Sequence, residues 1–231
     1  MCLLIAENRE DEFILWFNRD DSVDRLSSNF CEKDTLFYPL DKKSWWTWIW
    51  NDTKWRIIAL LNNDGDFSEN RETRGNIIVS ILEWENDVDS LDFKKCNPFQ
   101  LFYFSSWDAK ILYWDWVKFK EESLSWNFRM VMASSSYWEQ YRNKRRQLAE
   151  SLIKSFPKLT PKILKSLLSN DYKWFNEISE TTMSMMGKHS KTLSTSIVSF
   201  SGTTMEINHS YKNLIDDSFT NHSMHVLPNN L

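Results

Sequence analysis

The order of elements predicts an α+β fold in which sheets are covered by helices. Apolar runs of strand length come in pairs, separated by short polar turns. Helical patterns fall into separate blocks instead of following every strand, which argues against an alternating βαβ wind. The 231 residues suit one domain, large enough to bury roughly 70% of its unfolded surface without disulfide staples.

Leu3–Ile5 and Phe13–Phe17 form the first strand pair, with Glu7–Asp11 as a polar loop between them. Their nearly continuous apolar character suits a sheet buried on both faces. Asn18-Arg19-Asp20-Asp21 ends the second strand with four polar groups. Residues 22–44 read as polar and irregular, with Phe37-Tyr38-Pro39 as a surface anchor. Thr47–Ile49 and Arg56–Leu61 make another hairpin turning at Asn51-Asp52, and Asn62–Asp66 is a loop. Thr73 caps a helix to about Trp84, with Ile77, Ile78, Ile81 and Leu82 on one face. Phe99–Phe104 and Lys110–Trp116 pair around Trp107-Asp108, and Arg129–Ala133 is a further strand. Two helices follow, near Trp138–Ser155 and Thr160–Leu168, the second with Pro161 at the favoured first position. Ser194–Ser201 and Thr204–Ile207 close the chain around Gly202. The domain is expected to span 1–214, and 215–231 to be a flexible polar tail.

Composition excludes several classes. A net charge of −4 argues against a nucleic-acid scaffold. No run reaches the ~18 apolar residues of a membrane span, and the opening apolar run is too short for a signal peptide. Cys2, Cys31 and Cys96 are an odd, scattered set, which argues against a disulfide framework and for a reducing cytoplasm. The histidines lack metal-like spacing except His222 and His225, which fall in the expected tail. Arg142, Lys144, Arg145 and Arg146 read as a solvated basic helix face, and Met183, Met185 and Met186 as core filling. No phosphate loop, dinucleotide fingerprint or nucleophile elbow is present, so neither cofactor nor metal is expected.

Cys2 is the most informative residue. Its small side chain favours removal of Met1, which leaves a thiol and a free α-amino group on one residue. That amine has a pKa of ~7.7–8.0, so it can act as base for its own side chain. The alternative is an apolar residue of a first strand. If the first two strands pair, Arg19 approaches Cys2, where a guanidinium favours thiolate. Asp20 could then hold Arg19 or the α-ammonium; the alternative is a surface ion pair. Asn62, at the end of the Ile57–Leu61 run, could donate to an oxyanion; otherwise it is a turn residue.

Together these residues resemble the NRDE family, which includes the transport and Golgi organisation proteins. Met1-Cys2 precedes an apolar strand, and Asn18-Arg19-Asp20-Asp21 matches the name-giving motif with Asp for its final Glu. Ser44–Trp50 followed by Arg56–Asn62 resembles the family's Gly-Gly-Thr-Trp segment and the strand after it. Arg74-Gly75 resembles its Ser-Arg-Gly segment, and weaker likenesses include Ser134–Ser136 and Ser196–Val198. The resemblance spans about 214 residues. The family is similar to N-terminal nucleophile hydrolases, which implies a four-layer αββα sandwich. It further implies Cys2 as nucleophile, Arg19 and Asp20 beside it, Asn62 as oxyanion donor, and linear amides or peptides as substrates. The chain departs from those hydrolases at Ser135, where they place a second asparagine, and near Leu193, where they place an arginine. Members are also linked to haem or lipid handling, which implies a non-catalytic carrier as the alternative.

One figure is abnormal. The chain has 4 glycines and 13 tryptophans, where average usage predicts about 16 glycines. Trp45, Trp46, Trp50 and Trp55 fall where the family pattern wants glycine, while Trp48 falls where it wants tryptophan. A genetic code that reads UGA as glycine, as in a few bacterial lineages, would account for both facts. A genuine aromatic patch that stacks a ligand is the alternative.

Overall fold

The computed structural model describes all residues except 1, 11, 34, 64–70, 72–73, 76, 79–80, 82–92, 107, 135–138, 169–190, 203, 213–218 and 227–231. The chain begins with an antiparallel pair, β1 (Cys2–Arg9) and β2 (Glu12–Asp21). Both strands run further than their apolar stretches. Glu7 and Asn8, expected in a loop, are buried within β1. Glu7 tolerates burial because Arg129 and Arg9 bind its carboxylate and the Leu159 N–H donates to it.

Residues 22–44, expected to be irregular, contain β3 (Ser27–Lys33) and β4 (Leu36–Asp41). β4 alternates, burying Phe37, Pro39 and Asp41, and the buried aspartate disguises the pattern. Then come β5 (Ile49–Asp52), β6 (Ile57–Asn62), β7 (Phe99–Phe104), β8 (Ala109–Trp114), β9 (Phe119–Ser123) and β10 (Phe128–Ala133). Helices α1 (Glu139–Lys154) and α2 (Pro161–Leu168) follow, then β11 (Lys191–Ser201), β12 (Thr204–Lys212) and β13 (Phe219–Val226). β13 lies in the expected tail, yet it pairs along β12 from Met205↔Val226 to Lys212↔Phe219. The backbone ladder holds it despite its polar composition.

Two antiparallel sheets result. One has six strands in the order β10-β1-β2-β11-β12-β13, and the other seven in sequence order from β3 to β9. They face each other across a core that includes Leu4, Ala6, Leu15, Phe17, Ile49, Ala59, Phe102 and Val198. The far face of the first sheet, through Leu3, Ile5, Trp16 and Ile197, packs on α1 and α2 through Ala149, Ile153, Leu164 and Leu167. The far face of the second, through Ile58, Leu60, Leu101 and Leu112, meets Ile77, Ile78 and Ile81, which are helical. The fold is therefore the four-layer αββα sandwich. Residues Leu82, Trp107, Ser135, Met183, Met185 and Met186 lie outside the described residues. Among the described residues no helix is long and apolar enough to cross a membrane, and no group of three or more potential metal ligands gathers.

Candidate active site

The β1–β2 register sets Arg19 directly opposite Cys2. Strand side chains alternate between faces. Cys2 therefore shares the inter-sheet face with Leu4 and Ala6. β10 pairs on the other side of β1, Leu3 against Ala133, which carries Ser134 to the strand end. The Cys2 nitrogen donates to Ser134 Oγ at 2.7 Å, and the Ser134 N–H donates to the Cys2 carbonyl at 3.0 Å. Loss of Met1 would make that same nitrogen the α-amino group.

Arg19 is buried and anchored on three sides. It donates to Asp41 Oδ2 at 2.6 Å, to Asp21 Oδ2 at 2.9 Å and to the Arg25 carbonyl. Its guanidinium lies 4.3 Å above the Trp48 ring centroid, a favourable cation–π distance. Arg25 joins the same Asp41 oxygen at 2.7 Å, and the Lys43 and Ser44 N–H groups donate to Asp41 Oδ1. Burial would raise the Asp41 carboxyl, but Arg19, those amides and Arg25 hold it below its usual range. Burial lowers the Arg19 guanidinium from its ordinary value, opposed by Asp21 and Asp41.

Asp20 does not hold Arg19. It is the next residue along the strand, so its carboxylate points to the helix layer. There Arg145 of α1 and the Thr192 hydroxyl both bind it at 2.5 Å. Arg145 is thus a buried partner of the site, not part of a solvated basic face. The backbone N–H of Asp20 acts on the Cys2 thiol in the direction of thiolate. Burial pushes the Cys2 thiol up, the positive amino terminus opposes this, and the Asp20 and Asp21 charges reinforce it.

Asn62 ends β6 opposite Phe99, and β6 lies across from β1. Its amide makes no hydrogen bond among the described residues. Leu193 is buried at the β11 bulge between Thr192 and Ser194 and brings no charge. Asp41 and Arg145 escape a reading of local sequence because each acts between layers. Asp21 and Ser134 lie in segments that the sequence marks, the Asn18–Asp21 motif and the Ser134–Ser136 run. Asp21 meets Arg19 within β2, and the partner of Ser134, Cys2, is visible only across the strand pairing.

Three of the four non-glycine residues with positive φ among the described residues are tryptophans: Trp45 (59°), Trp55 (63°) and Trp116 (82°). Trp45 is 75% exposed, so no packing explains its left-handed backbone. Trp46 abuts Gly75 so closely that a Cβ there would lie 2.5 Å from its own Cβ. Trp50 differs, since it is a fully buried strand residue with ordinary φ. The described grooves do not reach Cys2. One of about 540 Å³ runs along β10 and is lined by Met130, Met132, Ile111, Phe128, Arg142 and Arg146 among others.

No curated protein matches the chain. Among solved structures it is similar to an N-acylethanolamine-hydrolyzing acid amidase ortholog from Caenorhabditis elegans. The TM-score is 0.51 at 11% identity, covering 85% of this chain and 92% of that one. It is also similar to a conjugated bile acid hydrolase from Clostridium perfringens, with TM-score 0.48 and 11% identity over 97% and 92%. The first of these likenesses shows the N-terminal nucleophile hydrolase fold. The family described as "Transport and Golgi organisation 2" matches residues 1–213, and the chain belongs to that family.

Proposed function

We propose that this protein is an N-terminal-cysteine amidohydrolase acting on linear amides or peptides. One observation carries the reading: Cys2 opens a central strand with its nitrogen on Ser134 Oγ and Arg19 directly opposite. The amidase and hydrolase named among the structural likenesses support a substrate of that class. After Met1 is lost, the α-amino group takes the thiol proton. The sulfur attacks the carbonyl carbon, a C–S bond forms, and the carbonyl electron pair moves to oxygen, where Asn62 donates. The amine leaves with the proton as the C–N bond breaks, and water hydrolyses the thioester. A thiol raised by burial stays protonated at neutral pH, so such a base is required. The test is release of a fluorogenic amine from linear amides. Activity in the wild type and none in Cys2→Ala supports the reading; equal rates remove it.

A second reading is favoured by the enclosure of the Cys2 sulfur and by the groove along β10. In it, the protein carries a lipid-like molecule or haem without chemistry. Extraction of co-purified lipid and a haem titration followed by absorbance test it directly. Ligand recovered from wild type and Cys2→Ala alike, with no amide turnover, would favour the carrier.

The backbone also bears on which residues occupy the tryptophan positions. Left-handed φ at positions 45, 55 and 116 suits glycine, and close approach to Gly75 suits glycine at 46. We read these four positions as UGA codons decoded as glycine. UGG codons there would overturn this, as would an intact mass equal to that of the written sequence.

A further inference from the structure

We infer that Arg74 is a specificity residue that receives a carboxylate of the substrate beside Cys2. The inference rests on the hydrolase reading above. Arg74 is half-buried, and its one hydrogen bond among the described residues runs from Nη1 to the Pro98 carbonyl at 3.0 Å. The Asn63 N–H donates to the same carbonyl at 3.2 Å. Pro98 immediately precedes Phe99, which faces Asn62. Arg74 therefore sits at the strand ends where Asn62 terminates β6. On its other side, Gly75 abuts position 46, and Trp48, two residues further along, lies under Arg19, opposite Cys2.

The local charges do not cancel. Arg19 and Arg25 share Asp21 and Asp41. Asp20 is committed to Arg145. Among the described residues Arg74 has no carboxylate partner, and it is the one buried or half-buried arginine of which this is true. Desolvation lowers it to about 10, and the Cys2 thiolate charge acts in the opposite direction, so at neutral pH it remains a cation. A half-buried guanidinium that spends one N–H on a carbonyl keeps its other donors for an anionic ligand. A planar carboxylate matches that fork geometry. The substrate class narrows to linear amides that carry a carboxylate.

The test compares two alkylating agents of nearly equal size, anionic iodoacetate and neutral iodoacetamide, at Cys2 and at Cys31 in the same protein. The iodoacetate-to-iodoacetamide rate ratio at Cys2 is expected to exceed that at Cys31 by about tenfold, the scale of one charge-assisted hydrogen bond. Arg74→Gln should abolish the excess and Arg74→Lys should keep most of it. An unchanged ratio in Arg74→Gln overturns the inference, as does an equal slowing of both reagents. If Cys2 reacts with neither reagent, the nucleophile reading falls, and binding then decides Arg74 alone. In Cys2→Ser, N-decanoylglycine should bind by calorimetry and N-decanoylglycinamide should not, with the difference lost in Arg74→Gln. Equal binding of the two probes overturns the inference.

Discussion

The two ends of the β1–β2 pair are built from similar residues and differ in whether their charges are used up. At the hairpin end, buried Glu7 is met by Arg129, Arg9 and the Leu159 N–H. Arg129 in turn donates to the carbonyls of Ile153, Phe156 and Pro157, so the strand, α1 and the link to α2 are tied through one carboxylate. Nothing there is left over. At the other end a buried thiol lies beside Arg19, Arg25 and Arg74, and among the described residues Asp21 and Asp41 are the carboxylates that pair with them. A saturated network fixes a fold. An unsaturated one beside a thiol keeps binding capacity for something else.

The contrast can be broken most forcefully at the hairpin end. Arg129→Met leaves Glu7 buried without its main partner. It should cost about 3–5 kcal/mol of unfolding free energy, read by denaturant titration. Cys2 labelling of the folded fraction should stay unchanged. A cost below about 1 kcal/mol would mean that this network is not a latch.

Acid sharpens the contrast next, through a neutral strut behind the thiol end. His209 on β12 bonds Ser196 Oγ at 2.9 Å and the Ser28 carbonyl of β3 at 3.3 Å, which joins the two sheets. Burial lowers its imidazole to about 3, against ~6.5 when unfolded. The unfolded chain therefore takes up a proton first as pH falls. The His209 contribution is whole above pH ~6.5 and is lost progressively between there and about 3, by several kcal/mol. His209→Gln should flatten the stability profile across that window. An unchanged profile would show that His209 is not the titrating strut.

Smaller effects are expected at the thiol itself. Cys2→Ala should change stability by no more than about 1 kcal/mol while removing amide hydrolysis. A loss as large as that of Arg129→Met would make Cys2 a core residue. Smallest of all, Trp45→Gly should stabilise the written sequence by about 1 kcal/mol. That residue is exposed and left-handed, so only the backbone term changes. A destabilised variant would mean that the indole has a packing role.

Much of this architecture was legible because it is local. The apolar runs around Leu3–Ile5 and Phe13–Phe17 announce a twice-covered hairpin, and Pro161 marks the start of α2. Cys2 follows from its place after Met1, and Arg19 from the pairing of the first two strands. The missed parts depend on distant partners. Asp41 is buried in β4 only because Arg19 and Arg25 meet it. Arg145 looks like its basic neighbours until Asp20, 125 residues earlier, turns toward it. Asp20, expected beside Arg19 or the α-ammonium, is adjacent to Arg19 in sequence but not in space. Strand alternation sends the two side chains to opposite faces. The edge strand β9 is exposed throughout, so no apolar period marks it.

The central claim is that a processed Cys2 is the reactive group of this fold. Intact and peptide mass spectrometry after limited iodoacetamide treatment tests it most directly. The expected chain begins at Cys2 and is modified there before Cys31 or Cys96. A retained Met1, or modification of Cys31 with Cys2 untouched, would contradict it.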